Sequence, residues 1–357
     1  MLEVLIINPK NTNETWELPC ESIKWSEELN KVRTGSVNCA FYSFNEVAKA
    51  ASTTVHYILT GGPREIHLKD SDFNDPLLFR GVLRTFHYSS TNSEASTITL
   101  DFADLGSLLA CRMTQTYHLY DQVEAGQIFA SELAYTNNIQ DTGISMGLLP
   151  TTKKRQRTVK TDNLLDLITG MSNLKVDDGF DFQVDNLGHV NIYQPTMGTS
   201  NLNVVFDINN SRQPQVEGRL LGMLSNKVYV QGGELTDDQG QVTQEALLIS
   251  EQDTTSQSIW GLQESYLSAT DIATEPFLRA RGQKELQKNA YPLSSAGYSV
   301  NHLNSQLALD AYSLGDIVQI DWPTYSLNMQ LRVIKKTYQW DNGEYQIWAG
   351  MTGILPS

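Results

Sequence analysis

The sequence predicts a β-rich α+β protein, and three observations lead there. Residues 1–102 read as strand after strand, the character changes near Asp104 to mixed helix and strand, and β character returns from Leu224 with one strong helix inside it. At 357 residues the chain has room for roughly two to three domains.

The first stretch opens on Leu2-Glu3-Val4-Leu5-Ile6-Ile7, an apolar run closed by the turn signal Asn8-Pro9. Segments 36–41, 54–59, 65–68, 79–88 and 96–102 are rich in β-branched and aromatic residues and alternate in part with period two. Gly61-Gly62-Pro63 and residues 72–76 punctuate them, and 89–93 turns the last two into a hairpin.

In the middle stretch, Asp121 is placed to cap a helix carrying Val123, Ile128, Phe129 and Leu133 on one stripe. A second helix starts after Asp162, with Leu164, Leu165, Leu167 and Ile168 inward. Segments 180–185 and 189–193 flank Asn186-Leu187-Gly188 as a tight hairpin.

In the last stretch, 227–231 reads as a strand, 232–241 as a turn and 242–250 as a strand. Glu275-Pro276-Phe277 opens a helix, since proline suits the first helical turn. It runs through Leu278, Arg281, Lys284, Glu285 and Leu286 toward Asn289. Segments 298–309, 317–322, 331–340 and 344–349 are β again, the last pair a hairpin over Asp341-Asn342-Gly343.

One internal comparison bears on architecture. Glu65-Ile66-His67-Leu68, then 81–88, a turn, and Thr97-Ile98-Thr99-Leu100 has the grammar of 316–320, then 331–338, a turn, and Tyr345-Gln346-Ile347-Trp348. Either this is shared β-meander grammar, or it marks a duplicated β-barrel with α/β insertions.

Composition limits function. With 26 Lys and Arg against 41 Asp and Glu the net charge is −15, which disfavours general binding to nucleic acid or anionic lipid. Hydrophobic residues at 40% suffice for real cores. No stretch approaches the roughly 18–20 apolar residues of a membrane span, and the first residues lack a basic n-region, so no secretory precursor is expected. Cys20, Cys39 and Cys111 are too few and scattered for a disulfide framework or thiolate metal site, and at least one must stay unpaired. That fits a reducing cytoplasm.

Catalytic signals are weak. Gly143-Ile144-Ser145-Met146-Gly147 matches the G-x-S-x-G nucleophile elbow. The polar segment 137–142 before it is no buried strand, however, and 150–157 after it has no helical period. The six histidines (56, 67, 87, 118, 189, 302) include no metal-binding helical pair, and His67 and His87 read as hydrogen-bonded strand residues. Asp177-Asp178-Gly179-Phe180-Asp181 lacks the glutamate and alternation of a calcium loop. There is no P-loop and no dinucleotide fingerprint. No catalytic, cofactor or metal residue is therefore assigned.

The one basic run is Lys153-Lys154-Arg155-Gln156-Arg157-Thr158-Val159-Lys160. It is either a solvated loop or, through Lys153, Lys154, Arg155, Arg157 and Lys160, a docking patch for an acidic partner or a neighbouring copy. No aromatic residue interleaves with the charges, which argues against nucleic acid.

The order of features resembles the baseplate hub, or tail-tip hub, proteins of tailed bacteriophages and related contractile injection machines. Phe79-Arg80-Gly81-Val82 resembles their F-x-G-x-(I/V) strand, and Leu100-Asp101-Phe102-Ala103-Asp104 the x-D ending before the first helical region. Gly143-Ile144, Gly147 and Asn163-Leu164-Leu165-Asp166-Leu167-Ile168 look like the middle domain. Residues 224–232 are similar to the N-x-(V/I)-x-V-x-G strand opening the second barrel, and Leu314-Gly315-Asp316-Ile317-Val318 to the L-G-D-x-V strand near the end.

The resemblance implies two similar antiparallel β-barrels with α/β insertions, forming a pseudo-six-fold trimeric ring. It sets 1–103 as the first barrel, 104–218 as an α/β domain, 219–241 with 297–357 as the second barrel, and 242–296 as a small helix-containing insertion. It implies a non-enzymatic virion component assembled in the bacterial cytoplasm. The implied partners are two further copies, the tail tube, distal tail or baseplate proteins, a tip or spike protein and the tape measure protein. DNA would pass through the lumen without specific binding, with no membrane insertion and no cofactor. Some relatives carry a C-terminal peptidoglycan-cleaving domain; with the chain ending at Ser357, that activity is expected elsewhere. The rival readings are a distal tail ring protein, or a carbohydrate-binding or carbohydrate-active β protein using its six tryptophans as stacking platforms.

Overall fold

The computed structural model describes residues 2–71, 77–90, 96–115, 117–172, 179–218, 224–236, 242–270, 272–291, 294–301, 310–325, 327–341 and 344–353. Outside them lie the predicted turn at 72–76, the loop of the 89–93 hairpin, Asp177-Asp178, 237–241, His302 with 303–309, Asn342-Gly343 and Ser357.

Alternating burial builds the first seven strands: β1 (Leu2–Asn8), β2 (Asn11–Glu17), β3 (Cys20–Glu28), β4 (Thr34–Ala40), β5 (Glu65–Asp70), β6 (Leu77–Ser90) and β7 (Ser96–Asp104). In β1 the residues Leu2, Val4 and Ile6 point inward, as a period of two requires. Gly81 in β6 explains its motif, because a Cβ there would stand 2.2 Å from the Ala103 carbonyl oxygen on β7. Two helices that the sequence reading did not place lie between β4 and β5: α1 (Phe41–Ala50) and α2 (Val55–Thr60). The expected strand at 54–59 is thus a helix. Thr54 caps it, its hydroxyl accepting from the Tyr57 N–H at 3.1 Å, and Val55, Ile58 and Leu59 are buried at helical spacing.

The middle unit comprises β8 (His118–Glu124), α3 (Ala125–Ile139), β9 (Ser145–Met146), β10 (Lys154–Val159), α4 (Leu164–Ser172), β11 (Asp181–Val184) and β12 (His189–Tyr193). Asp121 caps nothing: it lies on β8, and α3 begins four residues later. β8 pairs antiparallel with β10, so Val123 belongs to a strand while Ile128, Phe129 and Leu133 fill the unit's own core. The β11–β12 hairpin over residues 186–188 forms as expected. It docks on β6 and on the connection between β3 and β4. Asn186 accepts from the Arg80 N–H at 3.2 Å and from Arg33 Nη2 at 2.9 Å.

The remaining elements are β13 (Ser200–Phe206), β14 (Arg212–Gly218), β15 (Lys227–Gly232), β16 (Leu235–Thr236), β17 (Val242–Gln244), β18 (Leu248–Gln252), α5 (Thr254–Trp260), β19 (Glu264–Ala269), α6 (Glu275–Asn289), β20 (Ser294–Asn301), β21 (Ile317–Trp322), β22 (Leu327–Asp341) and β23 (Glu344–Gly353). The sheet β18-β15-β19 carries α6 on a separate small core including Val228, Val230 and Leu278. Gly315, at φ +86°, sits where a Cβ would meet the Met197 carbonyl oxygen at 2.3 Å, and Asp316 beside it accepts from the Thr199 and Ser313 N–H groups. The L-G-D motif is therefore a structural clasp.

Thirteen strands form one sheet, in the order β14-β20-β23-β22-β3-β4-β7-β6-β5-β1-β2, with β21 on β22 and β13 on β21. This corrects the expectation of two barrels: among the described residues neither half closes on itself. The reason is the length of β22, whose first part (327–332) pairs β21 while its second part (335–341) pairs β3 of the other half. β13 and β14, read from sequence with the α/β domain, belong to this sheet, and a single apolar core runs through both halves.

The internal comparison has a topological counterpart. Setting aside β2, which pairs β1 and has no counterpart, the first half is ordered β1-β5-β6-β7-β4-β3 and the second β13-β21-β22-β23-β20-β14. Numbered along the chain, the two orders are the same. β1 is antiparallel to β5 whereas β13 is parallel to β21; the other matched neighbours are antiparallel in both halves. One irregularity recurs at the same place: the register shifts between Leu83 and Thr85 in β6 and between Val333 and Lys335 in β22.

Lys336 lies buried where the halves meet, donating to the Tyr312 carbonyl at 2.7 Å with its ammonium over the Tyr312 and Tyr338 rings. Burial pulls its pKa down to about 8, against the upward pull of Glu27, Asp316 and Asp310. Between that value and the ordinary lysine range, the unfolded chain binds a proton that the folded chain does not. Lys336 by itself therefore makes stability rise with pH across this window. Cys20 and Cys39 act the other way, because their buried thiols keep protons that unfolded thiols release above about pH 8.5. The lysine's share is read as a difference: between about pH 8 and 9.5 the unfolding free energy of Lys336→Met in urea should fall by about 2 kcal/mol relative to that of the unaltered chain. Burial also holds the Tyr312 and Tyr338 phenols above their ordinary values, so stability falls further once unfolded tyrosines ionise.

Candidate assembly interface

The repeat singles out two unpaired edges. Within the chain, β22 pairs β3 in the register Thr337↔Ser26, Tyr338↔Trp25 and Gln339↔Lys24. Tyr338 there is 5% exposed and stacks on Trp25, ring centroids 4.7 Å apart. Matching the two bulges sets Phe86 on Lys336, His87 on Thr337 and Tyr88 on Tyr338. Yet the edge of β6 from residue 84 to 90, on the side away from β7, has no strand partner among the described residues. Tyr88 is 53% exposed where its counterpart is buried. It makes edge-on contacts with Phe41 and Phe86 and flanks an open groove of about 380 Å³ that Val55 and His56 also line. The second edge is β14, the counterpart of β3, which pairs β20 on one side only.

Neither edge was assigned from sequence. The available signal was the alignment of Tyr88 with Tyr338: two aromatics at one repeat position, of which a single chain covers one.

The basic run is not a loop. Lys154–Val159 is β10, held to β8 with Arg155 opposite Val123 and Arg157 opposite Tyr120. Arg155 is buried, whereas Lys153, Lys154 and Lys160 are exposed. Lys160 has its ammonium 6.0 Å from the Tyr117 ring centre. β10 and α6 face each other across a cleft of about 220 Å³, to which α6 adds Arg281 and Lys284 beside Phe277. The run therefore joins two further basic residues that sequence distance kept apart, while Lys160 does not line the cleft.

The catalytic lures have structural occupations. Ser145 lies on the two-residue strand β9, parallel to β12, and 147–153 after it form no helix, so no strand-to-helix elbow exists there. His67 bonds Glu65 at 2.9 Å, and His118 bonds the buried Glu132 at 2.6 Å. Burial works against the Glu65 charge, but hydrogen bonds from His67 and Arg80 hold its pKa down at about 2. Asp181 is occupied by Asn30, Arg332 and the Met197 N–H. Among the described residues no group of three or more His, Cys, Asp or Glu is placed to hold a metal. Burial pushes the Cys20 thiol up to about 11 and Cys39 up to about 12, which suppresses thiolate chemistry at both. Trp16, Trp25 and Trp322 are buried and Trp340 packs on the core, so these four offer no glycan platform.

No protein family and no curated protein matches the sequence. Solved structures do match over almost the full length. The prophage tail protein gp18 from Listeria monocytogenes EGD-e is 12% identical, with 99% of this chain and 95% of that chain covered and a TM-score of 0.61. The 43 kDa tail protein of prophage MuSo2 from Shewanella oneidensis is also 12% identical, covering 98% and 97%, with a TM-score of 0.62. The E. coli c3393 protein, a component of the type VI secretion system with structural similarity to T4 bacteriophage tail proteins gp27 and gp5, is 11% identical, covering 95% and 76%, at 0.51. At these identities the likeness is one of fold.

Proposed function

We propose that this chain is a structural subunit of a phage-type tail, forming the hub of a tail tip or baseplate as a ring of three copies. The observation that carries this reading is the repeated strand order within one sheet, in which the joint between the halves is matched by an open stretch of β6 and an open edge of β14. A chain with two like halves behaves as two units of a ring, so three copies present six similar units to a hexameric tube and three to a tip. The fold shared with prophage tail proteins supports the same reading.

In this role the chain performs no chemistry. It joins the tail tube and distal tail or baseplate proteins to a tip or spike, with the tape measure protein as a further neighbour in the virion. A charge of −15 per copy suits a lumen through which DNA slides without being held. The cleft between β10 and α6, with Lys153, Lys154, Arg155 and Arg157 on its lining, is the place we assign to an acidic partner or to the acidic surface of a neighbouring copy.

Mass in solution tests the reading. Light scattering at micromolar concentration should give three times the 40.0 kDa of the chain. A hexamer would move the assignment to a distal ring protein, and a lasting monomer with affinity for glycans would overturn it.

A further inference from the structure

We infer that the open edge of β6 in one copy is filled by β14 of the next, in the register of the β22–β3 joint inside each chain. The inference rests on the ring reading for the number of copies, but its residue-level content comes from the repeat. β6 corresponds to β22 and β14 to β3 in strand order. The chain thus already contains one example of the contact, made between its own halves.

The register follows residue by residue. β4 and β20 pair their outer neighbours β7 and β23 at matching positions: Thr34 stands opposite Ala103 and Ser295 opposite Thr352, in each case two pairs before the bulge on the neighbouring strand. On their other sides, Ser26 pairs Thr34 and Trp25 pairs Gly35, while Glu217 pairs Ser295 and Val216 pairs Ala296. Glu217 therefore takes the position of Ser26, Val216 that of Trp25 and Gln215 that of Lys24. Combined with the match of β6 to β22, this sets His87 opposite Glu217, Tyr88 opposite Val216 and Ser89 opposite Gln215, antiparallel.

Burial supports the same partner. On the covered strand Lys336 is 3% and Tyr338 5% exposed, whereas Phe86 is half-buried and Tyr88 is 53% exposed. Trp25 of β3 covers Tyr338, and the equivalent cover for Tyr88 is the β14 half of another copy. An unpaired edge bearing aromatic residues attracts strand addition in any case. Here the chain supplies a matching edge, so the contact is head-to-tail and passes from copy to copy until a ring closes.

Cysteine pairs test the register. In a Cys111→Ser background, which removes the exposed thiol, two double variants are made: Tyr88→Cys with Val216→Cys, and His87→Cys with Glu217→Cys. Adjacent antiparallel pairs alternate between wide and narrow spacing, so one of the two suits a disulfide whichever way the ladder falls. Oxidation with diamide should give covalent species of two and three chains on a non-reducing gel. The out-of-register pair Phe86→Cys with Val216→Cys and the background chain should stay single. Separate Tyr88→Cys and Val216→Cys chains should each remain uncoupled alone and give only two-chain species when mixed. Self-coupling of Tyr88→Cys alone would mean two like edges meet, and would overturn the proposal. A trimer by light scattering in which neither in-register pair couples overturns this joint and leaves the ring; a monomer without coupling overturns both.

Discussion

Replacing Trp25 with alanine should cost about 4 kcal/mol, the range for deleting a buried tryptophan, and should destabilise both halves of the sheet together. Trp25 is 2% exposed on β3, yet its ring stacks on Tyr338 and stands edge-on to Tyr345 at 6.3 Å, both from the second half. The loss combines a cavity at the centre of the shared core with a broken aromatic pair across the joint. Urea unfolding followed by circular dichroism should show one transition shifted to lower denaturant. Trp25→Phe should recover most of the loss. Two separated transitions in the alanine variant would mean that the halves fold independently and that the joint contributes little.

The second large effect is at Arg33. Its guanidinium is 6% exposed and donates to Asp104 Oδ2 at 3.0 Å, to the Val184 carbonyl at 3.1 Å and to Asn186, so one side chain ties the first half of the sheet to the β11–β12 hairpin. Burial opposes its charge, but the carboxylates of Asp104 and Glu27 outweigh that and raise its pKa above the ordinary value. Burial in turn raises the Asp104 carboxyl, a price that Arg33 only partly offsets. Arg33→Ala should therefore destabilise by about 3–5 kcal/mol, because it leaves a buried acid without its cation. Limited proteolysis should then cut within 181–193 first. The double variant Arg33→Met with Asp104→Leu should regain much of the stability. A loss under about 1 kcal/mol in the single variant would show the pair to be solvated.

Most strands were legible in the sequence because half-buried strands announce themselves by alternation, as Leu2, Val4 and Ile6 do. Two signals misled. Residues 54–59 have strand composition, but Thr54 offers a cap, and helical spacing of Val55, Ile58 and Leu59 meets the core. Asp121 looked like a cap because it precedes an apolar stripe, while Val123 was needed opposite Arg155. The joining of the two halves into one sheet was not legible at all: nothing local in 327–341 says that its first half serves one neighbour and its second half another.

The candidate interface was hidden for a similar reason. Tyr88 carries no motif; it gains meaning from Tyr338, and only once the bulges at positions 84 and 334 fix the alignment. The basic run was visible, but its strand geometry and the addition of Arg281 and Lys284 from α6 depend on contacts between distant segments. The motif residues Gly81, Asp104, Gly315 and Asp316 proved to be packing and clasp residues, a role their spacing did not reveal.

The continuity of β22 has a mechanical consequence. One uninterrupted backbone belongs to both halves, and seven consecutive residue pairs bind its second part to β3. A force that slides one half along the other loads those pairs together and cannot open them one by one. The halves therefore have no hinge between them, and the angle at which they meet is fixed when the chain folds. The curvature of the sheet is thus a property of the single chain.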